Sequence, residues 1–322
     1  MSHLLARYAE SIFWMARYME RAENLARILE VHETFSHDGG GAKDWRPILQ
    51  LNADERRFFE RFKVASAENV IRFYVLDAEN PTSILAGVRA ARENARILRP
   101  WISTEMWSHI NIFYNQLLAL TPQDMAPHAL TRHCAVIKEA CQAHTGITEG
   151  TFYRDQSWFF YQLGKHIERA DQTTRLLDIE YHKLLPSLHN AASLLDFVQW
   201  HAVLRSAAGY HAFRRVYPRG MTSASVAGFM LFNEAFPRSV MNCMRQIAGL
   251  LMRVRSQYQL RGGNDSMEVV DLILAALEAR PIDQIIQEGL HDYLDWLQLR
   301  LCDVTSGISR DFFGGAPVVN DA

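Results

Sequence analysis

Two stretches of this chain carry the same guanidinium and carboxylate pattern at the same spacing. Arg17-Tyr18-Met19-Glu20-Arg21-Ala22-Glu23-Asn24-Leu25-Ala26-Arg27-Ile28-Leu29 returns 148 residues later as Lys165-His166-Ile167-Glu168-Arg169-Ala170-Asp171-Gln172-Thr173-Thr174-Arg175-Leu176-Leu177. Glu, Arg, Ala, Arg and Leu recur identically; Arg17 pairs with Lys165, Glu23 with Asp171, Asn24 with Gln172 and Met19 with Ile167, so charge and polarity survive the changes. Side chains of these types support three kinds of chemistry. A guanidinium grips a carboxylate or phosphate through a bidentate fork, which Lys165 with its single ammonium lacks. A buried carboxylate rises in pKa and becomes a general base, the role open to Glu20 and Glu168. Acid and base together also neutralise each other inside a fold, where an unpaired charge is costly.

Positioning these groups is the work of helices. At roughly 100° per residue, Arg17, Glu20, Arg21, Asn24 and Arg27 share one side while Met15, Tyr18, Met19, Ala22, Leu25, Ala26 and Leu29 cover the other. The same period runs through nearly the whole sequence and no alternating β-branched run interrupts it, so the expected class is all-α: one large helical bundle with an internal repeat of the Glu/Arg-bearing helix. Helices are expected over about 5–36, one or two within 45–77, then from an Asn80 cap with Pro81 in the first turn to about 99, and over 103–120, 129–146, 155–185, 190–216, 222–232, Phe236-Pro237 to about 259, a helix to about 279, and 281–310. Asp38-Gly39-Gly40-Gly41 and Gly262-Gly263-Asn264-Asp265 read as loops, and Pro186 and Pro218 as stops. The domain spans 1–313, with two similar halves of about 1–150 and 151–313 open as a subdivision, and 314–322 as a flexible tail.

Further clusters are weaker. Arg92 and Arg96 share a helix face beside Glu93 and Asn94, and three Arg-bearing helices converging on one anion site would use them; exposed surface charge explains them equally well. Arg205, Tyr210 and Arg214 lie along one helix, and Arg238 follows Pro237 where free amides attract anions. Glu288-Gly289-Leu290-His291 has one Glu-x-x-His spacing where a di-iron bundle needs two, so a surface explanation is preferred, and His133, Cys134, Cys141 and His144 fit no zinc spacing. No metal or cofactor is expected. Cys243 reads as a small core residue among Val240, Met244 and Ile247. Trp14, Tyr18, Trp107, Trp158, Phe159, Phe160, Tyr161 and Trp200 read as core anchors, and an exposed patch at 158–161 would mark a docking face.

Composition removes other classes. The 322 residues carry a formal net charge of −2 with both signs interspersed, so neither nucleic acid nor an anionic membrane finds a basic field. Four cysteines without CxxC spacing fit a reducing cytoplasm, and no stretch reaches the roughly 18–20 apolar residues of a membrane span. P-loop, GxSxG and HExxH motifs are missing, so ATP should bind elsewhere.

The chain resembles the alpha-E domain family, a bacterial all-α family, along essentially its whole length. The resemblance rests on Ala9 to Asn24, in which Ala16 replaces an expected Gly, on Asn80-Pro81-Thr82-Ser83-Ile84, Ala91 to Arg96 and Ser103 to Trp107, on Gly164 to Asp171, in which Lys165 replaces an expected Arg, and on Phe236 to Val240. It implies the company of circularly permuted ATP-grasp ligases and transglutaminase-like peptidases. The expected role is therefore an accessory subunit of such a ligase in peptide or amide-bond modification, contributing an Arg/Glu-lined pocket or docking surface. Glu20 and Glu168 would orient Arg21, Arg169, Arg27 and Arg175. Two rivals remain open: an enzyme acting alone through Glu20 or Glu168, and a structural dimerisation module with homo-oligomer formation.

Overall fold

A computed structural model describes residues 4–36, 44–124, 126–184, 194–258 and 262–314. The described residues form fourteen α-helices and no strand, the all-α class expected. They are α1 (Ala6–Ser36), α2 (Arg46–Leu51), α3 (Glu55–Phe59), α4 (Ala67–Ile71), α5 (Ile84–Ile97), α6 (Thr104–Leu118), α7 (Pro127–Thr151), α8 (Gln156–Leu184), α9 (Leu194–Ser206), α10 (Tyr210–Val216), α11 (Ser223–Phe232), α12 (Val240–Tyr258), α13 (Asn264–Ala279) and α14 (Ile282–Ile308). Two π-helical turns, Arg72–Leu76 and Ser309–Phe313, extend α4 and α14. The expected loop at 38–41, the stop at Pro186 and the end of the tail lie outside the described residues.

The chain divides into two compact bodies, residues 11–161 and residues 1–10 with 162–322. In element order the second repeats the first: α1 to α7, then α8 to α14. Within each, the last three helices pack consecutively, α5 on α6 on α7 and α12 on α13 on α14.

The repetition extends to details invisible in the sequence. Two residues past the last of α2 and of α9 stand Ala53 (φ 54°) and Ala208 (φ 56°), both left-handed, and the following amide bonds the carbonyl five residues back: Asp54 N to Leu49 O at 2.9 Å, Gly209 N to Leu204 O at 2.7 Å. This helix-ending turn divides the segment expected as one helix over 190–216. Beyond it each body holds a corresponding aromatic trio built on a buried pair of phenylalanines. Phe58 stands edge-on to Phe73 (5.2 Å, 88°) and stacks on Phe62 (5.0 Å, 25°); Phe213 stands edge-on to Phe229 (5.5 Å, 86°) and stacks on Tyr217 (5.0 Å, 24°). Offset stacks and T-shapes of this kind contribute beyond their buried area.

A third correspondence sets where α5 and α12 begin. Ser83 Oγ donates to Asp77 O at 2.5 Å and accepts from Ala86 N at 3.0 Å; Ser239 Oγ donates to Asn233 O at 2.5 Å and accepts from Asn242 N at 3.0 Å. Serine is therefore the cap, not Asn80 as the Asn-Pro signal predicted. Asn80 is buried in the preceding turn, where its amide donates to Phe73 O and its carbonyl accepts from the Thr82 amide. The aromatic row 158–161 gives no exposed patch: Phe159, Phe160 and Tyr161 are buried, and Trp158 is half-buried beneath the Arg154 guanidinium, 4.7 Å from its ring.

Because Phe58 and Phe213 hold equivalent fully buried positions, Phe58→Ala and Phe213→Ala should each cost about 3–5 kcal/mol. Urea unfolding followed by circular dichroism checks this; a loss below about 1 kcal/mol at either site contradicts the assigned packing.

Candidate functional site

The charged face of α1 is turned away from solvent. Arg17, Glu20, Glu23 and Asn24 are buried, and Arg21 and Arg27 are half-buried. A guanidinium held this way requires a carboxylate, and the helix supplies one four residues earlier: Glu23 Oε1 accepts from Arg27 Nε at 2.9 Å and Nη2 at 2.6 Å. Sequence reasoning expected Glu20 to orient Arg27; the carboxylate bonded to that guanidinium is Glu23, which the Glu/Asp equivalence in the repeat singles out. Arg17 lies 4.8 Å from the centre of the Trp14 ring and 5.7 Å from that of Phe13, a cation over aromatic faces. Two links join α1 to α7. Lys138 pairs with Glu30, and burial, reinforced by the charges of Glu23 and Glu20, pushes the Cys141 thiol far up.

The second copy repeats the register. Lys165, Glu168 and Asp171 are buried on α8, and Arg175 Nε donates to Asp171 Oδ2 at 3.0 Å. Asp171 is the main cause that raises the Arg175 pKa, outweighing burial. Gln172 donates to Glu168 at 3.3 Å, and the Thr173 hydroxyl donates to the backbone carbonyl of Arg238 at 2.8 Å, tying α8 to the segment before α12. Arg169 is half-buried on the same helix, and Arg238 is buried.

Arg21 belongs to a polar corner that the sequence did not reveal. Asp54, almost wholly buried at the start of α3, accepts from the Thr82 hydroxyl at 2.6 Å and from Arg57 at 3.0 Å. Burial raises its pKa; the Thr82 bond, Arg57 and, more weakly, Arg21 oppose the rise. The other body fills the place of the Asp54 side chain with an aromatic ring. Gly209 stands where Asp54 does, and a Cβ there would come within 2.8 Å of Phe236 Cζ, so the ring occupies the space a side chain needs. Thr82 corresponds to Arg238 and Asn80 to Phe236.

Arg92 and Arg96 are engaged on their own surface. Arg92 donates to Asn111 at 2.8 Å and to Glu93 at 2.9 Å, and lies 5.1 Å from the Tyr114 ring centre; Arg96 pairs with Glu93 at 2.7 Å. Glu93 thus bridges the two cations expected to face an anion together. Cys243 is buried, its thiol directed at the Pro237 carbonyl, as a core residue should be.

Two outcomes follow from these pairs. Glu23→Ala should destabilise by about 3 kcal/mol, because it strands a guanidinium; Asp171→Ala should cost less, since the Arg175 side chain is 28% exposed against 14% for Arg27. Denaturant unfolding ranks them, and equal losses would contradict the argument. For Asp54, the folded chain holds the proton more tightly than the unfolded one. Its contribution is therefore present in full below the unfolded carboxylate pKa and is lost as pH rises through the raised folded value. Asp54→Asn keeps an acceptor for Thr82, so stability measured across that window should decline less than in the unaltered chain.

Comparison with known proteins follows the same residues. Residues 4–313 match a family described as a predicted alpha-helical domain with a conserved ER motif, and Glu20-Arg21 and Glu168-Arg169 are the Glu-Arg pairs of the two repeated segments. Uncharacterized proteins of Mycobacterium bovis and Mycobacterium tuberculosis are 25% identical over 258 residues, covering 73% of this chain and 28% of theirs. The chain thus spans little more than a quarter of the length of these relatives. No solved structure matches it.

Proposed function

Because the chain belongs to the Alpha-E family, we propose that it serves as the helical partner of a circularly permuted ATP-grasp ligase in peptide or amide-bond modification. Burial of the repeat carboxylates carries this reading. Glu20 is 5% exposed and Glu168 fully buried, and a general base must come within hydrogen-bond reach of a substrate proton. Their burial favours positioning over proton transfer by this chain. The length of the mycobacterial relatives supports the same reading, since the matched segment there makes up 28% of a longer chain.

In this scheme the ligase transfers the γ-phosphoryl group of ATP to a carboxylate, an amine attacks the acyl phosphate, and phosphate leaves as the amide forms. The helical partner offers one arginine in each body, Arg21 in one and Arg169 in the other, as a ligand for an anionic group. Glu20 with Glu23 in one body, and Glu168 with Asp171 in the other, would fix the charged face of the helix that carries each arginine. A transglutaminase-like peptidase is the further partner that the family reading implies.

The test mixes the purified chain with a circularly permuted ATP-grasp ligase from the same genome. A stable complex and a several-fold rise in ATP turnover are expected, with Arg21→Ala and Arg169→Ala retaining the fold and reducing turnover. Absence of a complex, or amide chemistry by this chain alone without ATP, would falsify the reading.

A further inference from the structure

The arginines of α10 have no acid near them in sequence. From Phe197 to Asn233 the chain holds Arg205, Arg214, Arg215 and Arg219 and neither Asp nor Glu. The helix break at Ala208 leaves Arg205 on α9 and places Tyr210 and Arg214 on α10, although the sequence suggested one helix for all three. Arg214 and Arg215 share a face of α10 with His211, Arg219 lies in the turn that follows, and these side chains are exposed. Among the described residues Arg214, Arg215 and Arg219 form no ion pair or hydrogen bond. The opposite charge stands on α13 of the same body. Glu268 and Asp271 are exposed there, also without an ion pair among the described residues. Leu272, next to Asp271, is 49% exposed, and Val216, next to Arg215, is 50% exposed. Each face is an aliphatic side chain flanked by charge of one sign. From this complementarity we infer that the α10 face of one copy of the chain docks on the α13 face of a second copy.

The other body shows that the scaffold does not require these charges. Its counterpart of α10 is α3, where the cations are paired: Arg56 with Glu60 at 3.3 Å, Arg57 with Asp54 at 3.0 Å, and Arg61, just beyond, with Asp77. The register that aligns Phe58 with Phe213 puts Arg215 where Glu60 stands and Ala212 where Arg57 stands. The counterpart of α13 is α6, since buried Met106, Ile110, Phe113 and Leu117 repeat as buried Ser266, Val270, Ile273 and Leu277. In that register Ser108 and Asn111 take the places of Glu268 and Asp271. Both unpaired faces therefore belong to one body, and they differ in sign.

Charge also selects the occupant. From Asn264 to Asp303 the chain carries nine acids against two arginines and no lysine. A nucleic acid or an anionic membrane drawn to α10 would bring an extended row of negative charge to the same body and be repelled by that acidic segment. A second copy brings only a short acidic face with an aliphatic centre. Because the two faces differ, the contact is head-to-tail, and each added copy leaves one face of each kind open until a ring closes. Exposed ion pairs contribute little singly, so the contact belongs to the weak, salt-sensitive class.

The proposal is independent of the ligase reading, and none of its readouts involves a ligase. Sedimentation velocity of the full chain is measured over a range of protein concentrations in about 0.01 M and about 1 M salt, between which the screening length falls from about 30 Å to about 3 Å. A sedimentation coefficient that rises with concentration is expected at low salt, and a constant monomer value at high salt. Arg214→Glu with Arg215→Glu, and separately Glu268→Arg with Asp271→Arg, should each weaken association at least about tenfold. All four sites are exposed, and circular dichroism checks that both variants fold. Mixing the two variants restores complementary faces and should restore association, while Lys63→Glu, an exposed change in the other body, leaves it unaltered. A monomer at low salt, association indifferent to salt, unaltered association in either folded variant, or failure of the mixture to associate overturns the assignment. A chain that stays monomeric yet binds a deca-glutamate peptide or a thymidine oligonucleotide through Arg214 and Arg215 overturns it too, and gives the basic face to a different partner.

Discussion

A guanidinium taken out of water has to bring its own carboxylate, and on a helix a suitable one stands four residues back. Glu23 with Arg27 and Asp171 with Arg175 meet that demand in the same register, one pair in each body of the chain. The remaining charge on α1 and α8 is arranged around these pairs: Arg17 over two aromatic rings, Gln172 on Glu168, Thr173 on the backbone beside Arg238. Desolvation makes each such contact obligatory, because removing one partner leaves the other charged and dry. This explains why chemistry persists in the repeat where letters change, Glu for Asp and Asn for Gln, since a shorter acid still reaches an arginine one turn away.

The two bodies share more than their charged helices. Each has a left-handed alanine closing one helix, an edge-on and stacked aromatic trio beyond it, and a serine that both caps the next helix and binds the carbonyl six residues back. They diverge at one corner. Asp54, Asn80 and Thr82 make it polar in one body, while Gly209, Phe236 and Arg238 occupy the equivalent positions in the other. A buried acid tuned by Arg57 and Arg21 is thus confined to a single copy. Repetition accounts for the scaffold; the unrepeated residues are where distinct chemistry is expected to reside.

Period, capping signals and the Glu/Arg repeat were enough to establish the all-α class, most helix positions and the family, because each depends on residues near one another in sequence. The sequence could not show that 190–216 breaks at Ala208, since alanine is the strongest helix former and only the Gly209 N–H bond to Leu204 O makes its left-handed conformation worthwhile. Nor could it show that Ser83 rather than Asn80 is the cap, which depends on Asn80 being drawn inward by the Phe73 carbonyl. His291 was visible only beside Glu288; its partner Asp178 lies 113 positions away. What the chain encodes in local spacing was legible in advance. Which acid meets which base, and which polar side chain is removed from water, was decided by long-range packing, because desolvation energies belong to the folded environment and not to the residue.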